Sequence, residues 1–224
     1  MRTVRRALLW VALAVVLVTL VGSVALVLGQ TRQARVPGGL MMRGGPAMMR
    51  GGTGAAPGMV WLAGDGNVVP SIAAARSRAA QAAAGPGLHP GEVIWFDNGF
   101  YVELKDSAGH PATEVIVDPA AGTVSLEPGP AMMWNTRYGM HGGPAGGVQT
   151  ATVTPGQAVR IASAWLAANL PGHLAATPDA YPGYYTLETT SSDGTVNGML
   201  SVNATTGALW YHHWHGRFIA RQDT

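Results

Sequence analysis

Cysteine is absent from the 224 residues. That excludes disulfide staples, thiolate metal sites, cysteine nucleophiles and an acylated lipoprotein terminus. Lysine occurs once, as Lys105, and the other basic residues are arginine. Charged residues make up only 12% of the chain, with a net charge of +2, so no basic field marks nucleic acid as a partner. The enzyme signatures H-E-x-x-H, G-x-S-x-G and G-x-G-x-x-G are missing, and so is a P-loop. The acids are few and scattered, and Asp118 and Asn203 stand where tight turns favour Asx residues. The expectation is a protein that is not an enzyme.

A different absence marks the amino terminus. Residues 7–28 carry no charge and are mostly Val, Leu and Ala. A bilayer core takes roughly 20 apolar helical residues, so the run is long enough to span. Arg2, Arg5 and Arg6 precede it, and only Arg32 and Arg35 follow closely. The positive-inside rule then leaves the N-terminus in the cytoplasm and the remainder outside, as a single-pass membrane protein. A cleaved secretory signal is the competing reading. Its apolar region is usually about 7–15 residues and ends at an A-x-A-like site. 'VLGQTRQA' offers no such site, and the uncleaved anchor is preferred. Either way the functional part is extracytoplasmic.

Residues 1–29 are thus read as an Arg cluster plus transmembrane anchor, and residues 30–59 as a Gly- and Met-rich disordered tether. Glycine is costly to order, and the tether shows neither the strand nor the helix period. It contains 'MMRGGPAMMRGG', in which Met-Met-Arg-Gly-Gly recurs after seven residues. A Gly-rich linker at 139–150 separates two further units, 60–138 and 151–224. About 160 residues beyond the tether suffice for one domain or two small ones.

The second unit opens with Thr154 as a helix cap and Pro155 in the first turn. Ala158, Ile161, Ala162, Trp165 and Leu166 then share one helical face. Strands are expected at 184–190, 195–203 and 208–215, joined by 'SSDG' and 'ATTG' turns. The first unit repeats this order, with a helix at 70–85 and strands at 92–97, 100–106, 112–118 and 122–128. 'GFYVEL' (99–104) aligns with 'GYYTLE' (183–188), and 'VDPAAGTV' (117–124) with 'VNATTGAL' (202–209). The glycine-to-glycine span is 23 residues in one copy and 24 in the other, which marks an internal duplication with one gap.

A helix followed by strands and a D/N-x-x-T/A-G hairpin resembles the PepSY domain. The second copy carries the resemblance best, in 'GMLSVNATTGALWYHHWHG' (198–216), and the first copy matches more weakly. The chain is also similar to membrane-anchored PepSY-like proteins that end in a strand bearing Trp and His. The resemblance implies an α+β fold of two PepSY-like units, each a helix packed on an antiparallel β-sheet. It implies binding or inhibition outside the cell, often near peptidases, with a protein partner and no catalytic residues.

Two features stand above this background. In 'WYHHWHG' (210–216), a strand places Trp210, His212 and Trp214 on one face and Tyr211, His213 and His215 on the other. His213 and His215 then reach one metal ion together, with His141 or His173 as a third ligand. Ordinary packing of a terminal strand outweighs this, because two ligands do not make a tight site. The second feature is methionine, six of ten in doublets. Met132, Met133 and Met140, with His141, form a candidate copper set, since thioethers suit Cu(I). Arg43 and Arg50 disfavour a cation at the tether doublets, so a plain low-complexity tether is preferred there. The alternative function is therefore copper or zinc binding outside the cell.

Overall fold

A computed structural model describes residues 59–142 and 150–223. The expected anchor, and the tether up to residue 58, lie outside the described residues. Among the described residues no helix is long and apolar enough to cross a membrane. All of them belong to one compact unit.

Both long helices start where their caps dictate. Ser71 Oγ accepts the Ala74 N–H at the head of α1 (Ile72–Ala83). α2 is a single turn, Pro130–Met133. Thr154 and Gln157 form a reciprocal capping box at the head of α3 (Pro155–Asn169), with proline in the first turn. The expected face of α3 is the buried one. Ala158, Ala162 and Leu166 are fully buried, and Ile161 and Trp165 pack half-buried on the same cluster.

Eleven strands form two antiparallel sheets among the described residues. In chain order they are β1 (Val60–Leu62), β2 (His89–Phe96), β3 (Gly99–Lys105), β4 (Pro111–Val117), β5 (Val124–Leu126), β6 (Leu174–Ala175), β7 (Asp179–Tyr181), β8 (Tyr184–Thr190), β9 (Val196–Asn203), β10 (Leu209–Tyr211) and β11 (Phe218–Gln222). The first sheet runs β1-β5-β4-β3-β2-β11, and the second β10-β9-β8-β6, with β7 also on β8. The fold is α+β with antiparallel sheets.

Side-chain alternation divides each sheet into two faces. Val93, Phe100, Val102, Leu104, Val115, Val117, Val124 and Leu126 of the first sheet pack with Ala75, Ala79 and Ala83 of α1. Tyr185, Leu187, Leu200 and Val202 of the second sheet pack with α3. The opposite faces meet each other: Met199 of β9 shares a cluster with Ile94, Phe96 and Tyr101. The order of layers is therefore helix, sheet, sheet, helix, and the strand faces that alternation leaves polar lie between the two sheets.

The two halves share a strand order and a turn. The order β5-β4-β3-β2 in the first sheet corresponds to β10-β9-β8-β6 in the second. Asp118 and Asn203 close the same turn: Gly122 N–H donates to Asp118 O and Gly207 N–H to Asn203 O, both at 3.0 Å. Each Asx side chain also accepts the backbone N–H two residues on. Gly122 and Gly207 sit at φ +69° and +71°, a region that only glycine enters cheaply.

One expectation needs correcting. The strand at 208–215 stops at Tyr211, and a turn follows at His213 and Trp214. The chain then crosses to the first sheet, where β11 pairs antiparallel with β2. The second half thus supplies the edge strand of the first sheet. The crossing is held by the β2–β3 turn. Asn98 Nδ2 donates to Trp214 O at 2.7 Å, and its Oδ1 accepts the Gly216 N–H. Asp97 Oδ1 accepts the Arg217 N–H.

Candidate functional site

Strand period places the first part of the site. Val124 and Leu126 of β5 face α1, so Glu127, one residue further, faces the second sheet. Its N–H donates to Glu114 O at 2.9 Å and extends the β4–β5 ladder. Glu114 and Tyr101 share that face on β4 and β3. From the second sheet, β8 contributes Tyr184 and Thr186, and β9 contributes Ser201. All six side chains are buried.

The crossing segment supplies the second part. His212 N–H still donates to Met199 O, as a continuation of β10, and its ring is buried. The turn then brings Trp214 back over it, stacked at 4.6 Å between ring centroids. His215 lies stacked on Phe96 at 4.4 Å. The sequence had placed His213 with His215 and separated both from His212. Because the strand ends at Tyr211, the geometry pairs His212 with His215 instead. His213 is exposed and leans edge-on against Tyr211.

Three groups crowd one oxygen. Glu127 Oε1 lies 3.2 Å from His212 Nδ1, 2.8 Å from His215 Nε2 and 3.1 Å from Trp214 Nε1, which donates to it. The His215 approach is close, but its ring nitrogen is not aimed at the oxygen and has no hydrogen-bond partner. Glu127 Oε2 is buried with no partner at all. Ser201 Oγ sits 3.0 Å from His212 Nε2, and Thr186 Oγ1 2.9 Å from Ser201 Oγ. Ser201 can donate or accept, so it supports either tautomer of His212.

A second carboxyl lies alongside. Tyr184 donates to Glu114 Oε2 at 2.7 Å and Tyr101 to Oε1 at 2.9 Å, and the Tyr101 and Tyr181 hydroxyls are 3.0 Å apart. Burial, and then the charge of Glu127, push Glu114 well above the usual carboxyl range. Burial also pushes Glu127 up, but His212 and His215 outweigh it and hold the carboxyl well below that range. The two directions favour an anionic Glu127 beside a neutral Glu114. Burial lowers His215, which favours the neutral imidazole.

Glu127, His212 and His215 are the one group of acids and histidines among the described residues whose ligand atoms all lie within 4.8 Å. The other candidate ligands sit elsewhere. Met132 packs beside the α1 core, and its O accepts the Met140 N–H. Met133, Met140 and His141 are exposed. His173 is half-buried in the turn after α3.

Sequence reasoning missed Glu114, Glu127 and His212. A signal was present: 'FYVELK', 'ATEVIV' and 'TVSLEP' each carry one glutamate inside an otherwise apolar or β-branched run. Such an acid on a strand is ordinarily read as facing solvent. Comparison with family models, with curated proteins and with solved structures finds no match to this chain. Fold and site together describe an α+β protein with two antiparallel sheets and a buried polar layer between them.

Proposed function

We propose that this chain is a non-catalytic, extracytoplasmic binding module, anchored in the membrane by residues 7–28 and built of two PepSY-like units, that modulates a peptidase or another envelope protein. The observation that carries this reading is where the reactive side chains lie. Glu114 is 0% exposed, the Glu127 and His212 side chains are 0% exposed, and that of His215 is 3% exposed. Substrate sites are clefts that admit the reacting molecule. Side chains sealed between two sheets accommodate a proton or an ion and turn over no substrate. The paired helix-and-meander halves, with their shared Asx–Gly turn, add support for the PepSY-like character.

Two measurements test it. Protease added to intact spheroplasts is expected to digest the C-terminal half, and protection of that half refutes the topology. The purified full chain in detergent micelles is expected to slow secreted metallopeptidases from the same cells in a saturable way. Unchanged proteolysis at molar excess refutes peptidase modulation.

A further inference from the structure

We propose that Glu127, His212 and His215 bind one divalent cation of the zinc class, and that this ion locks the C-terminal crossing to the first sheet. The donor set is two imidazoles and one carboxylate without sulfur. That combination suits borderline divalent ions and not Cu(I), which favours thioether and thiolate.

The strongest support is the lopsided state of Glu127. Three nitrogen groups contact Oε1, while Oε2 is buried and bare. An unpaired carboxyl oxygen in a protein interior is costly, and such groups call for a partner. His215 Nε2, equally buried, also lacks a hydrogen bond. Both atoms belong to residues of the same cluster, whose ligand atoms lie within 4.8 Å of one another. The set offers one donor atom from each of three residues, and zinc is held by three protein ligands where the fourth position stays open.

The dimensions agree. Zinc–nitrogen and zinc–oxygen bonds of about 2.0–2.2 Å put tetrahedral ligand atoms roughly 3.4 Å apart. The His212–Glu127 and His215–Glu127 separations are 3.2 and 2.8 Å, so the site opens by only a fraction of an ångström. To bind, each imidazole presents a bare nitrogen and carries its proton on the other one. For His212 that is Nε2, which then donates to Ser201 Oγ. Such an outer partner fixes the tautomer of a ligating histidine, and Trp214 Nε1 plays the same part for the carboxylate.

The consequence is mechanical. Glu127 directly follows β5 of the first sheet, and the histidines lie 85 and 88 residues later on the segment between β10 and β11. An ion held by both closes that loop and pins the segment that delivers β11 to β2.

The test uses the full chain in detergent micelles, purified without chelator from cells grown with added zinc. Elemental analysis is expected to find about one zinc per chain. Glu127→Gln and His215→Gln are expected to lower zinc affinity by more than about 100-fold, exceeding the effect of losing an outer-shell partner. His213→Gln and Met132→Leu with Met133→Leu and Met140→Leu are expected to leave it unchanged. Near-ultraviolet circular dichroism of the tryptophans checks that each variant folds. Should the ligand variants fail to fold, cobalt on the wild type decides. Visible bands of four-coordinate nitrogen–oxygen cobalt support the site, and an aqua-ion spectrum overturns it. The proposal is also overturned if wild type holds no more zinc than Glu127→Gln, or if His213 or the methionines control binding.

Discussion

Tyr184→Phe removes one hydroxyl from the layer between the sheets and nothing else of consequence to packing. Tyr184 and Glu114 are both 0% exposed, and the bond between them is 2.7 Å long. It joins β8 of the second sheet to β4 of the first, so it bears directly on whether the sheets face each other through a polar seam. Glu114 retains Tyr101 on Oε1, but Oε2 loses its donor. Burial and the neighbouring Glu127 keep Glu114 protonated, so the lost bond is between neutral groups. Leaving a buried acceptor unsatisfied costs about 1–3 kcal/mol. At about 2 kcal/mol, a domain of this size loses roughly 4–8 °C in Tm. Thermal unfolding of the full chain in micelles, followed by near-ultraviolet circular dichroism, reads the shift. Tyr185→Phe is the comparison. Its hydroxyl donates to Val153 O at 2.8 Å, and Val153 is only half-buried, so about 0.5–1 kcal/mol is expected. A Tyr184→Phe protein as stable as wild type, or less affected than Tyr185→Phe, refutes the packed polar seam.

Glu92 makes stability depend on pH. Burial, then the charge of Glu188, push its pKa up to about 8, while Arg221 sits nearer Glu188 (3.0 Å) than Glu92 (3.8 Å). Its folded value lies above the unfolded 4.5, so the native state holds an extra proton between these limits. The Glu92 contribution is most favourable below the unfolded value and is lost as pH rises to the folded one. The Tm of Glu92→Gln minus that of wild type should therefore grow between about pH 5 and pH 8, and a flat difference contradicts the burial argument. The duplicated turn gives a paired test. Gly122→Ala and Gly207→Ala each force a Cβ into positive φ and should each cost about 1–2 kcal/mol in denaturant unfolding. A neutral result at either would show that the turn relaxes.

Much of this protein is set locally, and that part was legible. The Thr154–Gln157 box, Pro155 and the apolar face through Leu166 place α3 without help from elsewhere. Strand alternation gives β3, β4, β8 and β9 nearly to the residue, since each is a β-branched or aromatic run between turn residues. The Asx–Gly turns were legible in both halves, because φ near +70° selects glycine wherever the motif recurs.

The site belongs to the tertiary structure. Alternation says that Glu114 and Glu127 face away from the helix layer, and it says nothing of what covers that face. Only the stacking of the second sheet turns a solvent face into an interior. The histidine pairing was decided in the same way. Strand geometry would join His213 to His215, but Asn98 and Asp97 capture the backbone at 214–217 and pull β11 across to β2. Those contacts span more than a hundred residues, well beyond the reach of local propensity. What a dozen neighbouring residues specify can be read in order along the chain. The meeting of Glu127 with His212 and His215 is specified by two sheets closing on each other.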